Sequence, residues 1–218
     1  MATRPDTGMN DRCIVVRRLG LCDYLPTWQA MREFTDRRDE QTRSELCIVE
    51  HTPVFTQGQA GRPEHLISPG GIPVVHSDRG GQVTYHGPGQ LVIYLLLSLR
   101  ECGIGIRGLV SVMEHTIIEL LAARGFEAEA RADAPGVYVT GRKIASLGLR
   151  VRRGYTYHGL ALNVANDLEP FRRIDPCGHR GLEVTSTAVL GIADDLEQLG
   201  SELVERLAAA LDYAIEPA

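Results

Sequence analysis

The chain is 218 residues long, 44% hydrophobic, and carries a net charge of −5. That size suits one domain with a core of its own, and the acidic balance argues against a general nucleic-acid or membrane-surface binder, which needs a basic excess. Five cysteines, an odd number with no CxxC pair, speak against a disulfide framework or a structural zinc site and fit a reducing cytoplasm.

Residues 1–11 contain no apolar run of the kind a leader peptide carries, and read as a flexible tail ahead of a single domain over 12–218. "CIVVRRLG" (13–20) reads as a strand. From Asp23 to about Arg43, Tyr24, Trp28, Met31 and Phe34/Thr35 fall at helical spacing, with Pro26 in the first turn. A second strand, "LCIVE" (46–50), precedes a Pro-broken extended segment. The stretch from Gly71 to Leu99 alternates strand, Gly loop, strand, Gly-Pro-Gly turn and strand. Its apolar run "LVIYLLLSL" (91–99) is too short to span a membrane.

Residues 108–124 predict a second helix, with Leu109, Met113, Ile117 and Leu120/Leu121 on one face and Gly125 as its stop. Strand-like patterning returns over 135–165, where Thr140-Gly141-Arg142 and Arg152-Arg153-Gly154 read as turns. Leu196, Leu199, Leu203, Leu207 and Leu211 mark a C-terminal helix over 194–213. Helices set between and after hairpin-joined strands predict an α/β domain of the α+β type, with a mixed, largely antiparallel sheet flanked by helices.

Three segments stand out chemically. In "DRGGQVTYHGPGQ" (78–90), glycine pairs bracket a short strand, and Arg79, Gln82, Thr84 and His86 put polar groups where a core-facing strand would be apolar. Glycines there let backbone N–H groups approach a ligand closely, though the segment matches neither GxGxxG nor a Walker loop. In "VTGRKIASLG" (139–148), Lys143 is the single lysine among 23 basic residues. An amine can lose its proton when desolvated and an arginine cannot, so a lone lysine in an arginine-rich chain points to a site that needs a titratable cation. In "RIDPCGHRGLEVTS" (173–186), Cys177 sits between Pro176 and Gly178 with His179 and Arg180 beside it, the electropositive loop setting that suits a nucleophilic thiol.

Lys143 and Cys177 make chemical sense together. A free thiol with a pKa of ~8.5 is only a few per cent ionised at neutral pH. An ammonium ~4 Å away attracts the thiolate by up to about 4 kcal/mol at an effective dielectric of 20, and a third of that would bring the thiol close to 7. The lysine of such a dyad can also exchange a proton with an incoming or departing group.

The segments "RGGQVTYHGPGQLVIYLL", "GRKIASLGLRV", "HGLALNV" and "IDPCGHRGLEVTS" together resemble the lipoyl (octanoyl) transferases of the biotin/lipoate protein ligase-like fold, over roughly residues 13–190. The resemblance implies transfer of an octanoyl group from acyl carrier protein to a lysine of a lipoyl domain. The implied acceptors are the lipoyl domains of 2-oxo acid dehydrogenases and the glycine cleavage H protein. It implies no cofactor and no metal, no nucleic-acid or membrane partner, a cytoplasmic location and a monomer. Carried over by position, Cys177 is the acyl-thioester nucleophile and Lys143 lowers its pKa. The substrate-binding positions are Arg79, Gly80, Gly81, Gln82, Val83, Thr84, Tyr85 and His86, then Ser146, Leu147 and Gly148, then Gly159, Leu160 and Ala161. Val83, Tyr85 and Leu147 are expected to supply an apolar slot, and His158 and His179 to support the catalytic pair. Arg142, Arg150, Arg152, Arg153, Arg172, Arg173 and Arg180 are expected either to form a basic rim for an acidic carrier or to be solvated turn charges. Two rivals remain: an ATP-dependent lipoate or biotin ligase, which would share the lysine but not need the thiol, and a non-catalytic carrier-binding module, which would need neither.

Overall fold

The computed structural model describes residues 12–175 and 181–216. The tail assigned to residues 1–11 and the segment carrying Cys177 and His179 lie outside the described residues.

The chain opens with strand β1 (Cys13–Cys22), helix α1 (Tyr24–Arg37) and strand β2 (Ser44–His51), and β1 and β2 run parallel. The helix ends earlier than the apolar spacing suggests. Asp39 Oδ1 accepts from the backbone of Gln41 and the hydroxyl of Thr42, so a side-chain turn replaces the last helical bonds. Strands β3 (Val54–Gln57), β4 (Val74–His76) and β5 (Val83–His86) form a small separate sheet in the order β4-β3-β5.

Strand β6 (Gln90–Leu96) is buried along its whole length. The short helix α2 (Leu99–Cys102) and the long α3 (Ile106–Ala122) follow. The latter stops as expected: Gly125 takes a φ of +82°, and the Phe126 N–H returns to the Leu121 carbonyl. Strands β7 (Glu129–Ala130), β8 (Gly136–Val139), β9 (Arg142–Arg152) and β10 (Tyr155–Asn163) then run as an antiparallel meander. Both anticipated turns are two-residue hairpins with positive φ at each central position, Thr140-Gly141 and Arg153-Gly154. Helix α4 (Leu196–Ala210) begins at a capping box built from Asp195 and Gln198, and a final strand, β11 (Ala214–Ile215), adds to β1 in parallel.

The large sheet has the order β11-β1-β2-β6-β10-β9-β8-β7, parallel at the β11-β1-β2 edge and antiparallel elsewhere. Alternation along β6 assigns its two faces. Leu91, Ile93 and Leu95 join Leu160, Leu162 and the apolar stripes of α3 and α4 in the main core. Val92, Tyr94 and Leu96 join Cys47, Val49, Tyr157 and Ala161 beneath Met31 of α1. A central strand buried on both faces reads as a continuous apolar run, which is why "LVIYLLL" shows no period-two pattern. Among the described residues no helix is long and apolar enough to cross a membrane.

Candidate active site

On the α1 side of the large sheet, three neighbouring strands make a floor. Ser146 of β9 and Val92 of β6 flank Ala161 of β10 in one row, and Gly148 and Tyr94 flank Gly159 in the next. Small side chains in most of these places leave space above the sheet. The wall opposite is β5 with the loop before it. That loop is held down by Gly80 N–H donating to the Leu149 carbonyl at 2.9 Å, and by the N–H groups of Gly58, Gln59 and Ala60 donating to the carbonyls of Gln82, Arg79 and Gly81. The approach is close enough to require glycine: a Cβ on Gly58 would lie 2.4 Å from the Gly81 oxygen.

Arg79 is buried, and its guanidinium donates to the Thr56 carbonyl and hydroxyl and to the carbonyls of Gly80 and Gln82. Its charge therefore shapes the loop that roofs the floor.

The cavity between floor and wall holds about 500 Å³ of empty space counted out to its mouth. Arg79, Gly81, Gln82, Val83, Thr84, His86, Ser146, Leu147, Gly148, Gly159, Leu160 and Ala161 line it, so three segments far apart in sequence meet at one place. Gly80 and Tyr85 stand outside the lining. The Tyr85 ring points the other way, 5.6 Å from both Phe55 and Phe171 in a satellite core under the small sheet, so it does not supply the slot wall expected of it. Tyr24, Val92, Tyr94 and His158 complete the lining.

His158 shows how the floor was made polar at one edge. It has a φ of +63° in the middle of β10, a conformation that costs a non-glycine residue about 1–3 kcal/mol. That turn brings its ring beside its neighbour Tyr157, at 5.0 Å, and both meet Asp78. Asp78 accepts from Trp28 Nε1 at 2.8 Å and from the Tyr157 hydroxyl, and lies 3.0 Å from His158 Nε2. Burial pushes the Asp78 carboxyl up, but the hydrogen bonds from His158, Tyr157 and Trp28 outweigh it and hold the group below the usual carboxylate range. Burial lowers the pKa of His158 against the opposing pull of Asp78.

A second buried chain of hydrogen bonds runs from the cavity toward Lys143. His86 Nδ1 lies 2.7 Å from Gln90 Oε1, Gln90 Nε2 donates to Asn163 Oδ1, and Asn163 Nδ2 donates to the Thr185 carbonyl. Thr185 N–H in turn donates to the Lys143 carbonyl, and Lys143 N–H to the Glu183 carbonyl. Because Gln90 and Asn163 fix the amide orientation, His86 carries its proton on Nδ1. Burial, the neighbouring His51 and Arg79 lower its pKa to about 3, so it is neutral at pH 7.

Lys143 itself is 2% exposed, near the start of β9. Its Nζ donates to the Pro135 carbonyl at 3.0 Å and lies 5.5 Å from the centre of the Tyr138 ring. Gly136 packs so tightly on the side chain that a Cβ there would sit 2.5 Å from Lys143 Cε. Lys143 stands outside the cavity lining, on the stretch of β9 that leads into the floor at Ser146. Cys177 and His179 lie outside the described residues. The chain on either side of them converges near Arg142: Ile174, Asp175, Gly181, Leu182 and Glu183 line one cavity with it.

The arginines expected to form one rim divide in two. Arg142, Arg172 and Arg173 lie at the Lys143 end, with Arg173 paired to Glu169. Arg150, Arg152 and Arg153 lie toward the far end of β9, where Arg152 pairs with Asp36 and Arg153 donates to the carbonyls of Thr35 and Asp36 at the end of α1. Arg180 lies outside the described residues.

Sequence reasoning missed Tyr94, Asp78, Gln90 and Asn163. Tyr94 and Asn163 did leave a signal, since a hydroxyl in "LVIYLLL" and an amide in "LALNV" are polar groups in buried strands and must find partners.

This fold has known counterparts. Residues 23–208 match the model of the lipoyl protein ligase A/B catalytic domain family, and the chain belongs to that family. It is 60% identical to an octanoyltransferase of Alkalilimnicola ehrlichii, over 92% of this chain and 94% of that protein. An octanoyltransferase of Vibrio vulnificus is 58% identical over 92% of each chain. In three dimensions it resembles a solved chain from the bi-partite lipoate protein ligase of Thermoplasma acidophilum, with a TM-score of 0.75, 15% identity, and coverage of 95% of this chain and 86% of that one.

Proposed function

We propose that this enzyme, an octanoyltransferase by its relatives, carries an octanoyl group from acyl carrier protein to a lysine of a lipoyl domain through a thioester on Cys177. The observation that carries the reading is the cavity: a narrow slot over a floor of glycine, alanine and serine, with neutral imidazoles at its side, suits an unbranched acyl chain. The bi-partite ligase of Thermoplasma acidophilum was described with its E2 lipoyl domain, which supports an acceptor of that kind.

The Cys177 thiolate attacks the carrier thioester, the new C–S bond forms, and the carrier leaves as a thiolate that takes up a proton. Backbone N–H groups close to the nucleophile stabilise the tetrahedral oxyanion. The acceptor amine then attacks acyl-Cys177, the amide forms, and Lys143 removes the excess proton. Exchange of one thioester for another is nearly neutral in energy, and amide formation drives the sequence. His158 supports the slot through Asp78, and His179 stands beside the nucleophile in sequence.

Intact-mass spectrometry after mixing with octanoyl carrier protein tests this. The expected result is one added octanoyl group, located on Cys177, formed without nucleotide and absent from Cys177→Ser. Turnover that requires ATP, or that persists in Cys177→Ser, would favour the ligase reading instead.

A further inference from the structure

We propose that Glu114 of α3 is a positioning residue for this reaction: its carboxylate locks the peptide between Pro135 and Gly136 with the carbonyl turned toward Lys143. The inference rests on the reading of Lys143 as the amine that carries the proton.

One peptide unit makes both contacts. The Pro135 carbonyl accepts from Lys143 Nζ at 3.0 Å, and the Gly136 N–H donates to Glu114 Oε1 at 3.1 Å. A trans peptide is planar, and its N–H and C=O point opposite ways. Whatever holds the N–H therefore aims the carbonyl. Glu114 holds one side of the plane, and the lysine amine meets the other.

This plane needs holding. It turns about ψ of Pro135 and φ of Gly136, and the proline ring restrains neither. Glycine accepts either sign of φ, so a Pro-Gly peptide passes between two orientations at little cost, as type I and type II turns do. Here Gly136 has a φ of +147°, and a Cβ in its place would lie 2.5 Å from Lys143 Cε. The clasp on the lysine stem thus demands the one residue that leaves the peptide free to flip. A flipped peptide would point its N–H at the ammonium, donor against donor.

Helix α3 itself gives no reason for an acid at this place. Glu114 sits midway along the helix, away from the N-terminus that favours one. It is half-buried and forms no ion pair among the described residues; the Gly136 N–H is the donor it receives. A hydrogen bond to a carboxylate is about twice as strong as one to a neutral acceptor. It also polarises the peptide, which strengthens the carbonyl that faces Lys143.

Lys143 is the single lysine of the chain, so lysine labelled with carbon-13 at Cε gives one side-chain NMR signal. The Tyr138 ring, its centre 5.5 Å from Nζ, makes that signal sensitive to where the amine lies. The test reads this signal in Glu114→Ala and Glu114→Gln. It compares octanoyl transfer in both and in Lys143→Met, with folding checked by thermal melting. Glu114→Ala is expected to lower kcat about 10–100-fold, as a small misplacement of a reacting group does, with KM for octanoyl carrier protein within about twofold. Its lysine signal is expected to shift or broaden. Glu114→Gln keeps a carbonyl acceptor, and is expected to restore the signal and to bring kcat within about threefold of native. Native kcat in folded Glu114→Ala, beside an impaired Lys143→Met, overturns the positioning role and leaves the reading of Lys143 standing. A loss of kcat with the signal unmoved overturns it too, since Glu114 would then act elsewhere. So does a Glu114→Gln as impaired as Glu114→Ala, because the acceptor would not be the cause. Full transfer by Lys143→Met overturns the reading of Lys143 and the positioning role together. Should Glu114→Ala not fold, Glu114→Met keeps the helix and the stem without the acceptor and carries the same comparison.

Discussion

Lys143 illustrates how far one side chain can be constrained before any substrate arrives. Its amine is buried against a backbone carbonyl and an aromatic face, and its stem is clasped by a glycine with no room for a methyl. A guanidinium is wider than an ammonium and keeps its proton, so arginine fails at this position twice over, by shape and by chemistry. Lys143→Met keeps the stem and removes the amine proposed above as the proton carrier. It is expected to retain the native melting temperature within a few degrees while losing about 10²–10⁴-fold in kcat, as removal of a proton-transfer group does. Lys143→Arg is expected to lose as much activity and to melt lower than Lys143→Met. Octanoyl-transfer rates beside melting curves check both, and an arginine variant near native activity would remove the need for a titratable group.

At the scale of elements, local signals were legible and pairing was not. Gly125 announced the end of α3, and the two Gly-containing turns announced the hairpins on either side of β9, because each needs positive φ at a set place. The end of α1 was misread because apolar spacing continued past the point where Asp39 and Thr42 offered the backbone a better set of bonds. Strand β11 is two residues long, too short to show a pattern, and exists because β1 has a free edge to pair. The hairpin before Lys143 carries a conflict of its own. Thr140 is β-branched yet takes a φ of +49° beside Gly141 at +77°, the signs of a type I′ turn that asparagine suits far better. Thr140→Asn is expected to stabilise the protein by about 1 kcal/mol in urea unfolding, with octanoyl transfer unchanged. A loss of stability would mean that the Thr140 hydroxyl's bond to the Val139 carbonyl outweighs the backbone strain.

For the molecule as a whole, the segments that line the cavity were singled out by family resemblance, whereas their meeting depends on β6, β9 and β10 lying side by side, a long-range pairing with no local mark. The same long-range packing buries His51 and His86 near one another, with ring centres 5.9 Å apart, and Tyr24 stacks on His86. Burial leads the shift of each, lowering His51 to about 4 and His86 to about 3, and the neighbouring ring lowers His86 further. In the unfolded chain both would titrate at about 6.5. Above that value neither state binds the protons, and the pair has no effect on the pH dependence of stability. Below it the unfolded chain takes up two protons that the folded chain refuses until pH 4 and then 3, so stability falls as the solution is acidified. The slope is about 1.4 kcal/mol per pH unit for each histidine, or roughly 3 for the pair. Against a typical domain stability of about 5–15 kcal/mol, that slope can unfold the protein by about pH 4. Urea unfolding at pH 7.5, 6 and 5 is expected to show a flat region and then this decline, and His86→Gln to shed one proton's worth of slope. A stability independent of pH down to 5 would mean that these rings take their protons while folded. On the proposed reading of the slot, the refusal has a use there: a neutral His86 adds no second charge beside Arg79, whose guanidinium is already bonded to backbone carbonyls.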